Sequence, residues 1–377
     1  MPPRIAVIVH GDPTAPRTWS GSPAGIIEGL RACGTEPVPI DATPPGARRV
    51  RSVLRRRWTW DSTNPLVATG SGLWADAAVA RHRVDGAVQI GSGFRLRTAK
   101  PLVTFEDETV AQALRQEPSD LGLLKPREVR RWLERQGRIY RGARVCCVGS
   151  AWTGDSVRDD YGINPAKIQV VGFGRNLVTA PVERDWSVPR FLFLGVWWEL
   201  KRGDAVLAAF ARVRERHPDA TLDIAGRHPP LDAPGVRGHG LLSLASPEDR
   251  ARMIELLDHA TCMVVPSRRE AFGIAYADAG AAGVPCIGTS VGGAPETIGP
   301  GGLVVEPGDE EGLVAAMLRL CDPAAARELG ERAREHAAQF TWEAVAERIL
   351  RALALPGTDL TRLAPYVEPR RAVLISA

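Results

Sequence analysis

The segment SRREAFGIAYADAGAAGVP, residues 267–285, places residues that could do chemistry where a strand passes into a helix. An apolar strand-like run leads to the acidic residue Glu270, and a glycine-bearing turn and many small residues follow it. The backbone N–H groups around Ala271, Phe272 and Gly273 would lie at the positive end of a helix dipole, where glycine also lets a ligand approach the backbone closely. The pattern therefore predicts a site for an anionic ligand.

A second carboxylate, Asp278, lies eight residues after Glu270 in the same predicted helix. The residues around it are mostly alanine and glycine, which would let the helix pack closely and leave the two carboxylates as its conspicuous polar groups. The alternative interpretation is an exposed acidic pair on an amphipathic helix. Residue layout alone leaves both interpretations open.

The longer segment PSRREAFGIAYADAGAAGVPCIGTSVGGAPETI, residues 266–298, resembles the signature of retaining glycosyltransferase family 4. That signature has two glutamates separated by seven residues, a small-residue helix, G-x-P, a strand and G-G-x-x-E. Glu270 matches the first glutamate and Glu296 the last, while Asp278 stands where the family has its second glutamate. The resemblance implies that Glu270 orients the donor sugar and that Asp278 and Glu296 hold the nucleotide.

The segment FLFLGVWWELKRGDAVLAAF, residues 191–210, is similar to the family's strand, glycine and lysine segment. The resemblance implies that Lys201 reaches the donor diphosphate. Many members have an arginine directly after the glycine, where this chain has Val196, so Arg202 or Arg268 is the expected substitute. Without the resemblance, Lys201 would be interpreted as a solvated surface lysine.

Near the N terminus, TWSGSPAGIIEGLRACG, residues 18–34, resembles the family's glycine loop and first helix. The resemblance implies that Gly21 permits close approach of the acceptor or diphosphate and that Ser20 and Ser22 hydrogen-bond there. A helix start capped by serine is an equally simple structural explanation.

Five further positions follow strand-like runs and are expected to line the ligand sites. His10, Asp107 and Asn176 are assigned to the acceptor side, with His10 expected as a loop residue rather than a base, and Gly226 and Arg227 to the donor side. The acidic run FEDET could suggest a divalent metal, but a strand-end loop is the favoured interpretation. The resemblance implies that a helix dipole and basic side chains offset the diphosphate charge, so neither a metal nor another cofactor is expected.

These residues need elements to position them, and short β-like runs alternate with amphipathic helices twice along the chain. This alternation indicates an α/β fold with helices on the faces of parallel sheets. With the resemblance, we expect the GT-B fold, two Rossmann-like doubly wound parallel-sheet domains facing a central cleft. The expected parts are an acceptor-side domain over 1–182, a nucleotide-sugar-binding domain over 183–345, and a helix and tail over 346–377 that could cross back to the first domain.

Composition excludes some classes of protein. The 377 residues, 44% of them hydrophobic, suffice for two cores, and a net charge of +4 is too mild to imply nucleic acid. The basic run over 47–58 is expected to be a solvated helix face or loop rather than a nucleic-acid site, and 126–143 predicts a helix with an arginine-rich face. No run approaches the roughly 18 apolar residues of a membrane span, so a cytoplasmic protein with no integral membrane segment is expected.

The resemblance implies an enzyme that transfers a sugar, with retention, from a nucleotide-diphosphate donor such as a UDP-sugar. The acceptor would be a hydroxyl group of a small metabolite, natural product or glycan precursor. Two alternatives remain open on the same fold, a non-catalytic nucleotide-binding protein and a sugar-nucleotide epimerase or phosphorylase. The sequence names neither the sugar, the base nor the acceptor.

Overall fold

The computed structural model describes residues 2–45, 64–116, 121, 124–355, 366–367 and 372–376. It divides into two compact units, the first comprising Met1–Gly174 with Thr341–Tyr366 and the second Arg175–Phe340 with Val367–Ala377. The domain boundary expected after 182 therefore lies within the second unit, and the chain returns to the first unit at Thr341. The basic run over 47–58 lies outside the described residues.

The first unit is built on a parallel sheet of six strands in the spatial order β2-β1-β3-β4-β5-β6. The strands are β1 (Arg4–Val9), β2 (Glu36–Asp41), β3 (Gly86–Ile90), β4 (Leu102–Glu106), β5 (Val145–Val148) and β6 (Ile168–Val170). Strands β1, β3 and β4 are almost wholly buried, as expected for a parallel sheet covered on both faces. The strand order reverses between β1 and β3, the position where ligands bind in open α/β sheets.

Helices cover this sheet, and several begin at side-chain caps. They are α1 (Ser22–Ala32), α2 (Pro65–His82), α3 (Val110–Arg115), α4 (Pro126–Gly142) and α5 (Ala151–Asp159). Thr109 and Ser150 accept backbone N–H groups at the starts of α3 and α5, which supplies partners for N–H groups that the helix itself leaves unbonded.

The second unit is built on a parallel sheet of seven strands in the order β13-β12-β11-β10-β7-β8-β9. The strands are β7 (Arg190–Leu194), β8 (Thr221–Ala225), β9 (Val236–Gly240), β10 (Cys262–Val264), β11 (Cys286–Thr289), β12 (Gly302–Val305) and β13 (Val373–Ile375). The order reverses between β7 and β10, so the segments after these two strands lie at the same edge of the sheet.

The helices of the second unit include the small-residue helix predicted from the sequence. They are α6 (Trp198–Lys201), α7 (Gly203–Arg214), α8 (Pro247–His259), α9 (Ile274–Ala281), α10 (Ala294–Ile298), α11 (Glu310–Arg319) and α12 (Pro323–Ala337). In α9, Gly280 lies against Ala333 and Ala337 of α12, where an added Cβ would stand 3.1 Å from the Ala337 methyl group. The small side chains thus let two helices pack closely.

The helix that apolar spacing predicts near the C terminus is α13 (Trp342–Leu353), and it packs on α1 in the first unit. The ring of Trp342 fills the space beside Gly25, where an added Cβ would stand 2.2 Å from the indole. Along the residues that the structure describes, no helix is both long and apolar enough to cross a membrane.

Candidate functional site

Lys201 and Glu270, which are 69 residues apart in sequence, meet at the switch point of the second sheet. Lys201 ends the single-turn helix α6 after β7, and Glu270 lies in the loop after β10. The Lys201 Nζ atom donates to Glu270 Oε2 at 2.5 Å, and Ser267 Oγ donates to the same oxygen at 3.3 Å. The side chains of Lys201 and Glu270 are only 19% and 13% exposed, so solvent screens this ion pair less than it screens a surface pair.

Two glycines make room for Lys201 at the strand ends. An added Cβ on Gly195 would stand 2.9 Å from Lys201 Cγ, so the lysine stem lies across the end of β7. Gly226 follows β8 with a φ of 139°, and its added Cβ would stand 1.7 Å from the Gly195 carbonyl oxygen. Gly226 therefore allows β7 and β8 to end in close contact, and its contact with a donor remains a prediction.

The glycine pair of the G-G-x-x-E motif supports the loop that carries Glu270. The Gly293 N–H group is shared between the carbonyl oxygens of Glu270 at 3.2 Å and Ala271 at 3.1 Å. Gly292 has a φ of 71°, in the left-handed region that favours glycine. Two distant parts of the motif are thus joined through backbone atoms.

Helix α9 begins directly after this loop without a side-chain cap. Gly273, at the N-cap position, has a φ of 87°. Phe272 is buried, its ring lies edge-to-face with Phe340 at 5.6 Å, and its carbonyl oxygen accepts a 2.7 Å hydrogen bond from Thr297 Oγ. These contacts of Phe272 hold the turn from Ala271 to Gly273 in place. The backbone N–H groups at the helix start suit an anionic group.

Asp278, expected to hold the nucleotide, points into the protein. Its side chain is buried, and its Oδ1 accepts the backbone N–H groups of Asn176 at 2.7 Å and Leu177 at 2.8 Å. Burial raises the pKa of Asp278 to about 7, although these two hydrogen bonds oppose the shift. In this structure Asp278 holds the first residues of the second unit, and its bond to a ribose remains a prediction.

Glu296, also expected near the nucleotide, lies in the first turn of α10 and is buried. Its backbone carbonyl oxygen is 2.9 Å from the His336 Nε2 atom of α12. Burial lowers the pKa of His336, which favours a neutral imidazole at this contact. Glu296 thus lies at the junction of α10 and α12.

The two arginines expected to replace the missing cation share a cavity with acidic residues. Arg202 is buried with a φ of 59°, and its guanidinium pairs with Glu310. Arg268 lines the same cavity of about 440 Å³, together with Glu199 and Asp204. Arg202 is thus already paired with a carboxylate, and contact of either arginine with the donor diphosphate remains a prediction.

An aromatic residue that the sequence interpretation did not assign to the site lies beside another cation. Trp197, directly after Val196, is 59% exposed, and the Arg227 guanidinium lies 5.3 Å from the centre of its ring. Such a contact attracts a cation to the ring face. The signal in the sequence was a pair of adjacent tryptophans at a strand end, and the structure places Arg227 beside the first of them.

In the first unit, the predicted glycine loop is conformationally unusual. Trp19, Ser20 and Gly21 have consecutive positive φ values of 47°, 52° and 85°, which are uncommon for residues other than glycine. Ser22 is buried and its Oγ donates to the Trp19 carbonyl oxygen at 2.8 Å, so it closes the turn. The Trp19 ring lies against Gly91, which brings the loop to the end of β3.

The other acceptor-side residues follow neighbouring strands of the same sheet. His10 follows β1, and its ring lies edge-to-face with Phe94 at 4.9 Å. Burial lowers the pKa of His10 to about 4, so its imidazole is neutral near pH 7. Asp107 follows β4, and its carbonyl oxygen accepts a 2.5 Å bond from Thr153 Oγ. The adjacent Glu106 is buried, and burial holds its pKa well above the usual range.

Part of this chain matches a known protein family. Residues 188–322 match the family model described as Glycosyl transferases group 1. The chain is 32% identical over 231 residues to the glycogen synthase of Mycobacterium tuberculosis (strain CDC 1551 / Oshkosh), covering 58% of this chain and 54% of that protein. It is 27% identical over 289 residues to the D-inositol 3-phosphate glycosyltransferase of Corynebacterium kroppenstedtii, covering 68% of this chain and 60% of that protein.

The chain therefore spans little more than half the length of these relatives. Among solved structures, the sucrose-phosphate synthase of Thermosynechococcus elongatus superposes with a TM-score of 0.70 at 20% identity, over 93% of this chain and 98% of that one. This likeness confirms the GT-B fold expected from the sequence, with two Rossmann-like parallel-sheet units.

Proposed function

We propose that this protein, whose residues 188–322 match the family model of the group 1 glycosyl transferases, transfers a sugar from a nucleotide-diphosphate donor to an acceptor hydroxyl group. The observation that carries the proposal is the Lys201–Glu270 ion pair beside the uncapped start of α9. A cation, a carboxylate and a helix N terminus stand together at the carboxyl edge of a parallel sheet, as binding and activation of a sugar diphosphate require.

On the donor side, Lys201 and the start of α9 offset the negative charge of the diphosphate. This charge grows on the leaving phosphate as the sugar departs, and preorganised positive groups stabilise it most at that point. Arg227 supplies the second cation, in place of an arginine at Val196. The close contact of Gly195 with Gly226 supports this assignment, because it brings the residues after β7 and β8 together, and Trp197 holds the guanidinium.

Transfer proceeds with retention. The bond between the anomeric carbon and the phosphate oxygen breaks, and the acceptor oxygen bonds to the anomeric carbon on the face that the diphosphate leaves. The acceptor proton passes to a phosphate oxygen, so no protein base is required. Glu270 orients the hydroxyl groups of the donor sugar and stabilises positive charge on the ring.

The donor nucleotide is UDP in this proposal, and catalysis requires no divalent metal. Lys201, Arg227 and the α9 dipole take the role that a metal has in other nucleotide-sugar enzymes. Addition of EDTA should therefore leave the turnover rate unchanged. A requirement for Mg²⁺ or Mn²⁺ would contradict this part of the proposal.

The relatives indicate which acceptors to examine first. One is named a glycogen synthase and another a D-inositol 3-phosphate glycosyltransferase, so a glycan and a phosphorylated polyol are both represented. We infer an acceptor on the first unit, near the ends of β1 and β3, because His10 and the Trp19–Gly21 loop lie there.

The test is nucleotide release from UDP-, GDP- and dTDP-sugars, with and without acceptors. Glu270→Gln should lower turnover by about 100-fold or more, a larger effect than its effect on stability, and Lys201→Ala should weaken donor binding. The matched control is the exposed ion pair Arg327–Glu331 on α12, whose alanine variants should retain full turnover. Wild-type turnover in the Glu270 and Lys201 variants would overturn the proposal, and donor binding with no turnover on any acceptor would favour the non-catalytic alternative.

A further inference from the structure

Five arginines converge on one cavity of the first unit. The cavity has a volume of about 440 Å³, and its charged lining residues are Arg95, Arg97, Arg131, Arg135, Arg138 and Asp76. The lining thus has four more positive than negative groups, an excess as large as the formal net charge of the whole chain. So much positive charge in one cavity favours an anionic occupant.

The arginines come from two separate parts of the chain. Arg95 and Arg97 lie in the segment after β3, and the other three lie on α4. Positions 131, 135 and 138 are four and three residues apart, so they share one face of the helix. Like charges at this spacing repel one another. A bound anion would reduce the repulsion among these three arginines.

One arginine is held in place and the other four are solvent-exposed. Arg135 is 8% exposed, and its Nε atom donates to the Ser92 carbonyl oxygen at 2.9 Å. Arg95, Arg97, Arg131 and Arg138 are exposed, and none of them forms an ion pair with another residue in the described parts of the chain. Their guanidinium groups are thus available to a ligand.

The single acid of the cavity does not cancel this charge. Asp76 Oδ1 accepts the backbone N–H group of Arg97 at 2.8 Å, so it positions the Arg97 main chain. Burial raises the pKa of Asp76 above its usual range.

The remaining walls of the cavity define the size and character of the ligand. Pro65, Ala68 and Leu73 of α2 add apolar groups to the lining. The volume lies within the range of about 300–1,000 Å³ typical of small-molecule sites, which exceeds what a single inorganic ion fills. Guanidinium groups bind phosphate oxygens in a bidentate manner. We propose that this cavity binds a phosphate ester, with its phosphate on the arginines and its uncharged part along α2.

Two contacts link the wall of the cavity to the acceptor side of the first sheet. Arg135 bonds to Ser92, and Phe94, two residues later, packs on His10 at the end of β1. On this basis the phosphate ester is the acceptor, or the part of it that anchors a more distant hydroxyl group. This role rests on the proposed function, whereas binding of the ester does not.

The test measures binding of glucose 6-phosphate, with glucose as the probe that lacks the phosphate. Wild-type protein should bind glucose 6-phosphate, and this binding should weaken as salt is added. It should not bind glucose. The variant Arg131→Gln/Arg138→Gln should weaken binding by about tenfold or more, because two charge-assisted contacts are lost. Arg127→Gln/Arg130→Gln is the matched control, since both residues are exposed on α4 and lie outside the cavity lining.

Vesicles distinguish a soluble ester from a lipid headgroup. Displacement of glucose 6-phosphate by phosphatidylglycerol vesicles, and not by phosphatidylcholine vesicles, assigns the site to a lipid phosphate, and no displacement assigns it to a soluble ester. Equal weakening by the pocket and control variants, or equal binding of glucose and glucose 6-phosphate, would overturn the inference.

Hydrolysis of the nucleotide-sugar donor is measured in parallel on the same proteins. Phosphate binding without any donor turnover would contradict the proposed function and leave the anion site standing. Donor turnover without binding of glucose 6-phosphate would contradict the anion site and leave the proposed function standing.

Discussion

The backbone of Gly292 lies directly against the carbonyl oxygen of Glu270: a Cβ added at Gly292 would stand 1.7 Å from that oxygen. Both the φ of 71° and this contact require glycine at position 292. Because Gly293 also bonds to the Glu270 carbonyl oxygen, the glycine pair determines where the Glu270 loop lies. The position of the carboxylate that pairs with Lys201 thus depends on residues more than twenty positions further along the chain.

Gly292→Ala should therefore displace the Glu270 loop. We expect a loss of donor turnover together with a destabilisation of roughly 1–3 kcal/mol, because the alanine adds both backbone strain and a clash. Gly240→Ala is the control, since Gly240 has a similar φ of 65° and no atom within 4 Å of its added Cβ. Gly240→Ala should lower the free energy of unfolding only through backbone strain and should leave donor turnover unchanged. Similar turnover in the two variants would mean that the glycine pair does not position Glu270.

Asp278→Asn should change how stability depends on pH. Burial raises the pKa of Asp278 to about 7 in the folded protein, so this group favours folding below its unfolded pKa, and that contribution is lost as the pH rises towards 7. Asparagine keeps an oxygen for the N–H groups of Asn176 and Leu177 but cannot ionise. Relative to wild type, the variant should gain stability as the pH rises from about 5 to about 7, and this gain should stay constant at higher pH in denaturant unfolding.

The control for this experiment is Asp185→Asn. Hydrogen bonds from Ser187 lower the pKa of the exposed Asp185 to about 2, so its ionisation does not change over the same range. The difference between this variant and wild type should be constant across those pH values. A constant difference for Asp278→Asn as well would contradict the assigned shift.

Gly25→Ala should destabilise the first unit, although alanine is the better helix former. The added methyl group would stand 2.2 Å from the Trp342 ring, so α1 and α13 would have to move apart. In a Trp342→Ala background the same change should become neutral or stabilising. Gly70→Ala in α2, where nothing lies within 4 Å, should stabilise by up to about 1 kcal/mol in either background. Additive effects of the Gly25 and Trp342 changes in thermal unfolding would contradict direct packing.

Trp197→Ala should raise the KM for the nucleotide-sugar donor several-fold, with kcat little changed. The reason is that the Arg227 guanidinium loses the ring that holds it, and an exposed contact of this kind contributes about 0.5–1 kcal/mol. Trp197→Phe keeps an aromatic face and should restore part of the affinity. An unchanged KM in both variants would contradict the assignment of Arg227 to the donor site.

Much of the fold follows from local pattern. Buried apolar runs and alternating helices are properties of neighbouring residues, so two parallel-sheet units and the helix over 342–353 could be predicted without tertiary information. The domain boundary could not, because the Pro-rich stretch over 180–190 has a linker composition but lies within the second unit. Chain composition also does not reveal that the backbone N–H groups of residues 176–177 donate hydrogen bonds to Asp278 of α9.

The sequence alone determined which residues form the Glu270–Glu296 motif, since the spacing of Glu270, the glycine pair and Glu296 is a local pattern. Their orientation was decided by packing: Glu270 faces Lys201, whereas Asp278 turns to backbone N–H groups. The sequence also predicted an arginine-rich face on α4. Only the tertiary structure brought Arg95 and Arg97 to that face, because segments distant in sequence meet only where the strand order of the sheet places them.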